Sequence, residues 1–299
     1  MKKEIATLVR RIEAIPPLPI VARQIMELLQ DEETPMGKIA ELVEKDIALA
    51  TRLMTLANSP FYGTLGKVSS IDHALVLLGL KEVRAALLAI SVHQFFSDRQ
   101  HASLKSADGI RDHWRHAIVC SQTAKMLANR FKVEDADSIF LAALLHDIGK
   151  VAMECFLPSR YRQVIAEVRE KKVPFSRVER YIMGATHYQV AAKLLQQWHF
   201  PGRIILPVFF HHAPWHAEEF SNATVIVYLA NLLTHMAGYP TLAEEPKMDP
   251  QQFAESDQCL FLVRSGFDLN ASFLSRLAEQ IPILLAENPQ LLSFLETDA

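Results

Sequence analysis

Leu141-Ala142-Ala143-Leu144-Leu145-His146-Asp147-Ile148-Gly149-Lys150 is the stretch on which the reading of the chain turns. An apolar run of seven residues, Ile139 to Leu145, passes without a polar approach into an adjacent histidine and aspartate, then a glycine and a lysine. Aspartate is almost never fully buried unless it is paired or coordinated, and the run before it reads as a core helix. Asp147 therefore needs compensation. A metal ion shared with His146 and with histidines from elsewhere would provide it, and so would a hydrogen-bonded histidine network; both answers stay open at this point.

The totals allow a sizeable core: 299 residues, half of them hydrophobic. With 22% charged residues and a net charge of −3, there is no electrostatic footprint for nucleic acid or an anionic membrane. Cys120, Cys155 and Cys259 are odd in number, far apart and outside any CxxC pair, which argues against a disulfide framework and a cysteine zinc site. No uninterrupted apolar run approaches the ~18 residues that suggest a membrane span. The expectation is a soluble, cytoplasmic protein. Its twelve histidines are concentrated between His113 and His216.

Working outward, helical periods recur and strand alternation is absent. Residues 3–14 carry Ile5, Leu8, Val9 and Ile12 at helical spacing and stop at Pro16-Pro17. A second helix is expected to about Leu29 and a third from Thr34-Pro35 to Val43. Asp46 caps Ile47 to Ala57, which ends in Asn58-Ser59-Pro60, read as a cap and turn rather than a binding feature. Ser70 caps Ile71 to Leu78, closed by Gly79, and Lys81 to Phe96 follows. The polar interval from Ser97 to Gly109 is expected to be a loop. Beyond it come Arg111 to Arg130 and Val133 to Leu145, then Pro158 to about Lys172. A short helix follows from the capping-box pattern Ser176-Arg177-Val178-Glu179 to Gly184. Thr186 caps a helix to Trp198, Pro201 opens one to His211-His212 with Pro207 inside it, and Ser221 leads into Thr224 to His235. The tail is less patterned until Ala271 to Ala286 and Pro289 to Leu295. The fold class is all-α, with residues 1–98 as an N-terminal helical part, 99–238 as a helical core and 239–299 as a C-terminal extension.

Divalent-metal sites for phosphate chemistry need neutral imidazoles and carboxylates on rigid elements. His116, His146, Asp147, His187, His211 and His212 each sit on or at the end of an expected helix, where a bundle interior recruits ligands. Adjacent residues point about 100° apart on a helix, so His146-Asp147 and His211-His212 converge only at a helix end or distortion. The remaining histidines, His113 and His235 among them, receive no role, and Cys155 reads as a packed small hydrophobe.

A lone His, a His-Asp step, another His, a His-His pair and a last polar residue in an apolar helix, in that order, resemble the HD superfamily of metal-dependent phosphohydrolases. The resemblance implies that His116, His146 and Asp147 ligate one metal, that Asp147 bridges to a second held by His187, His211 and His212, and that Lys150 approaches a substrate phosphate. It implies one or two divalent ions (Fe, Mn, Zn, Ni or Mg). The His-Asp-Ile-Gly-Lys form is similar to that of the HD-GYP phosphodiesterases. Two departures stand out. The position where the superfamily has a closing aspartate is Asn231, and the Gly-Tyr-Pro segment is missing after His211-His212; Gly238-Tyr239-Pro240 lies too late and reads as coincidence.

The N-terminal half separates the branches. Ile15-Pro16-Pro17-Leu18-Pro19, Glu44-Lys45-Asp46-Ile47-Ala48-Leu49, Leu56-Ala57-Asn58-Ser59-Pro60-Phe61-Tyr62, Ile71-Asp72-His73-Ala74 and Leu77-Leu78-Gly79 resemble the successive signatures of the HDOD domain, an HD-related output domain of bacterial signalling proteins. The family usually has Asp-Pro where this chain has Asp46-Ile47. The likeness runs from about Ile12 to His212 and implies an N-terminal helical subdomain packed on an HD-like core. It implies a signal-transduction module with a partly retained metal pocket, acting through other signalling proteins or a ligand such as a nucleotide; the acidic balance argues against a nucleic-acid or membrane partner. The alternative is an active phosphohydrolase or phosphodiesterase using Asp147 and Lys150.

Overall fold

The computed structural model describes residues 15, 18, 20, 23–25, 27, 35–58, 68–103, 107–219, 221–242, 245 and 248–286. Among these every regular element is a helix, as the periodicity predicts. No helix among them is long and apolar enough to cross a membrane. The expected helices at 3–14 and Pro289 to Leu295, and most of the one reaching Leu29, lie outside the described residues. The chain divides into two compact units, Pro17–Ser103 with Leu284–Ala299, and Leu104–Ile283 with Met1–Pro16.

The first unit holds α1 (Met36–Glu44), α2 (Ile47–Ala57), α3 (Ile71–Leu78) and α4 (Leu80–Ser103). Its starts follow the expected caps: Asp46 Oδ1 accepts from Leu49 N–H at 3.0 Å and Ser70 Oγ from His73 N–H at 3.2 Å. Gly79 ends α3 at φ 80°, a conformation that costs glycine nothing. Ile39, Val43, Leu49, Leu53, Leu75 and Leu87 are buried. Asn58 acts as the turn residue it resembles. Its amide pairs with both backbone groups of Val68, accepting from N–H at 2.8 Å and donating to the carbonyl at 3.0 Å.

The second unit begins with α5 (Ala107–Phe131), α6 (Ala136–Leu145), α7 (Ile148–Phe156), α8 (Pro158–Lys171), α9 (Phe175–Ile182), α10 (His187–Gln197) and α11 (Gly202–Phe210). After a 3-10 turn, Pro214–His216, come α12 (Ser221–Met236), α13 (Pro250–Ala254), α14 (Asp257–Arg264) and α15 (Ala271–Ala286). α5 packs on α6 and α12, and α10 packs on α7 and α11. The contact between α7 and α10 is possible only because residue 149 has no side chain: a Cβ there would lie 2.0 Å from the His187 carbonyl oxygen. Pro207 sits inside α11 and is buried.

Three expectations are corrected. The described residues of the polar interval 97–109 are helical, 97–103 ending α4 and 107–109 starting α5; the interval contains no proline to break a helix. The helix expected to start with a Ser176 cap begins at Phe175 after Pro174. The tail also contains α13 and α14, capped by Asp249 and Ser256, whose oxygens accept from Gln251 N–H at 2.7 Å and Cys259 N–H at 3.2 Å.

Candidate metal centre

The His-Asp step lies where two helices meet end to end. α6 stops at Leu145 and α7 restarts at Ile148, leaving Asp147 at φ −102°, ψ 8°, the sparsely occupied bridge region. Its carboxylate does not cap α7. The break lets two adjacent side chains serve one centre. His211 and His212 are placed in the same way, in the turn directly after α11.

All six residues singled out as ligands meet. His116 Nε2 is 3.3 Å from His146 Nε2, and His146 Nε2 is 3.4 Å from Asp147 Oδ2. On the other side Asp147 Oδ1 lies 3.4 Å from His187 Nε2 and 3.8 Å from His211 Nε2, and His187 Nε2 is 2.9 Å from His212 Nε2. All but His212, which is exposed, are buried.

The outer nitrogens set the protonation of the rings. His116 Nδ1 is 2.7 Å from the Tyr239 carbonyl, His146 Nδ1 2.6 Å from that of Ala143, and His211 Nδ1 2.7 Å from that of Val208. A carbonyl only accepts, so each Nδ1 carries the proton and each neutral ring turns a bare Nε2 lone pair inward. Burial holds all three rings in that neutral form; His116 and His211 fall well below the ordinary histidine range, and His146 below it, although Asp147 pulls the other way. His116 and His146 thus oppose lone pair to lone pair with no proton between them. Asp147 Oδ1 and His211 Nε2 are likewise buried without a hydrogen-bond partner. Inward-facing donors whose backs are fixed by hydrogen bonds fit a divalent ion.

The two oxygens of Asp147 have separate surroundings. Oδ2 accepts from Lys150 Nζ at 2.7 Å, and that ammonium also donates to Thr241 Oγ1 at 3.2 Å and lies 4.6 Å from the Phe175 ring centroid. Burial alone would raise the Asp147 carboxyl, but the Lys150 ammonium outweighs it and holds it well below the usual carboxylate range. Burial would likewise lower Lys150, and the Asp147 and Glu245 carboxylates overcome it and raise it. Asn231 is buried on α12 with Oδ1 unpartnered, one turn before His235, whose ring centroid is 5.0 Å from that of His116.

Several contributors escape a reading by motif. Glu179 Oε2, fully buried, accepts from His187 Nδ1–H at 2.7 Å and from His187 N–H at 2.9 Å, so the residue expected in a capping box orients a ring of the centre. Tyr239, within the Gly-Tyr-Pro run set aside as coincidence, supplies the carbonyl behind His116. Cys120 brings its Sγ to within 4.8 Å of the ligand nitrogens of His116 and His146. Glu179→Gln is expected to weaken divalent-metal binding by ~10–100-fold with the fold retained, as loss of such outer partners typically does; calorimetric titration of the two proteins provides the comparison.

His113, given no role, belongs to a separate buried group: its Nε2 is 3.5 Å from Tyr161 Oη and 3.8 Å from Glu154 Oε2. Burial, then Lys150, lowers His113 to about 3, and burial pushes Glu154 up to about 7. A carboxyl raised on folding holds a proton that the unfolded chain releases, so Glu154 costs stability as pH rises from about 4.5 to about 7. Glu154→Gln is expected to melt higher than wild type above pH 7, with the difference fading toward pH 5; thermal melts at both pH values measure it.

An all-helical unit with a buried His-Asp step, facing histidines and an unpartnered aspartate oxygen is the arrangement that the HD resemblance leads one to expect. The HDOD domain model matches residues 15–214, and the chain belongs to that family. An uncharacterized protein of Treponema pallidum (strain Nichols) is 26% identical over 231 residues, covering 76% of this chain but 43% of the relative, so the chain spans less than half the length of that curated protein. Among solved structures, an HDOD domain protein of unknown function from Geobacter sulfurreducens superposes with a TM-score of 0.78 at 22% identity, over 98% of this chain and 97% of that one. A protein from Marinobacter aquaeolei VT8, provisionally named for signal transduction, gives 0.76 at 20% identity, over 99% of this chain and 65% of that one. At these identities the structural likeness concerns the fold.

Proposed function

We propose that the chain is a bacterial signal-transduction module that binds a divalent metal at His187, His211, His212 and Asp147 Oδ1 and acts through another signalling protein or a bound ligand. The observation that carries the reading is the inward set of bare Nε2 lone pairs beside an unpartnered aspartate oxygen. The provisional signalling name of the Marinobacter aquaeolei VT8 protein supports the context. The remaining residues of the expected set, His116 and His146, flank the same aspartate. There, however, Lys150 occupies Oδ2 and Asn231 brings no charge, so that side is poorer in anionic ligands.

The second reading is a phosphohydrolase, favoured by one observation: His212 is exposed, which opens the His187 side to a phosphate ester. A divalent ion there would supply Lewis-acid polarisation of a phosphoryl oxygen. In that chemistry Asp147 would hold the ion, and Lys150 would reach the phosphate only by leaving Asp147 and Thr241. Metal analysis of purified protein, with a panel of cyclic, mono- and dinucleotide phosphates as substrates, separates the two. The expected result is bound Fe, Mn, Zn, Ni or Mg whose amount falls in His211→Ala, and no turnover. Hydrolysis abolished by Asp147→Ala would favour the enzyme, and failure to bind any metal after reconstitution would remove both readings.

A further inference from the structure

We propose that Cys120, with His116 and His146, forms a second metal site in which the cysteine supplies the anionic ligand. The inference rests on the metal-centre reading and extends it to a residue outside the His-Asp pattern. Cys120 lies four residues after His116 on α5, so the two share a helix face. Its Sγ and the ligand nitrogens of His116 and His146 all lie within 4.8 Å of one another, and all three residues are fully buried. A buried cysteine acting only as a small hydrophobe leaves unexplained the two Nε2 lone pairs that face each other at 3.3 Å.

Charge points to the same residue. His116 and His146 are neutral donors, and the Asp147 oxygen on this side is held by Lys150 at 2.7 Å. On α12, the Thr234 hydroxyl donates to the Ala230 carbonyl at 2.7 Å and the His235 ring centroid lies 5.0 Å from that of His116, so Asn231, one turn before His235, shares that face. Its unpartnered Oδ1 is also neutral. Burial pushes the Cys120 thiol well above its ordinary range, so it holds its proton until a dication displaces it, and the sulfur then becomes the anionic ligand of the group. As the sulfur–metal bond forms, the S–H bond breaks and its proton passes to solvent. A thiolate beside two imidazoles selects thiophilic ions such as zinc and cobalt over magnesium and manganese.

Cobalt(II) titration of the full chain tests the site without reference to activity. Wild type is expected to develop an intense near-ultraviolet sulfur-to-cobalt charge-transfer band. Cys120→Ser and Cys120→Ala, both close in volume to cysteine and checked for helix content by circular dichroism, should lack the band and bind the ion at this site at least ~10-fold more weakly. Cys259→Ala, a buried cysteine outside every ligand group among the described residues, should retain it. Cobalt bound to wild type without the band, or a band that survives in Cys120→Ala, overturns the thiolate while leaving the His187 site standing. Wild type that binds no cobalt at all overturns both.

Discussion

Asp147→Ala is expected to destabilise the second unit by about 3–5 kcal/mol, the cost of leaving one member of a buried ion pair without its partner. The Lys150 ammonium, 4% exposed, would lose its carboxylate contact at 2.7 Å and keep the Thr241 hydroxyl, the face of Phe175 and the field of the Glu245 carboxylate. Trp114, Trp198 and Trp215 all belong to this unit, so tryptophan fluorescence in a urea titration reports its unfolding separately from the first. The double variant Asp147→Ala/Lys150→Met removes both charges and should recover most of the loss. If the single variant loses less than about 1 kcal/mol, the pair behaves as a solvated surface bridge and the buried description is wrong. Asp147→Ala also removes the unpartnered Oδ1 from the His187 group, so metal uptake should fall in parallel.

Gly149→Ala should be nearly as damaging for an unrelated reason. The added methyl would stand 2.0 Å from the His187 carbonyl oxygen and 2.8 Å from its carbon, both backbone atoms of α10 that no rotamer change can move aside. Overpacking typically costs 1–3 kcal/mol, and a clash with rigid backbone belongs at the upper end, about 3 kcal/mol. Because the displaced residue is His187, metal affinity should fall with stability. A variant that melts like wild type and binds metal equally well would mean that α7 and α10 can separate freely.

Much of this was legible in the sequence where one residue had to answer a physical demand. An apolar run ending in His146-Asp147 demanded compensation, and Asp46, Ser70 and Gly79 marked helix boundaries because their side chains, or the lack of one, suit a helix end. What stayed hidden involves residues with two plausible uses. Ser176-Arg177-Val178-Glu179 fits a capping box, and nothing local reveals that Glu179 turns inward to His187. Tyr239 contributes only a carbonyl, which any residue possesses. The helices α13 and α14 are short, and exposed Leu260, Phe261 and Val263 blur their period. Lys150 resembles a group awaiting a phosphate, and only the fold places its ammonium on Asp147.

That ammonium also separates two events that many small metalloproteins merge. Where ligand charges are balanced only by the ion, the apo chain unfolds and chelators denature it. Here the carboxylate has an internal counter-charge before any ion arrives, so the empty protein has a reason to persist as a folded species. On the proposed metal reading, an ion could then come and go while the amount of folded protein stays constant.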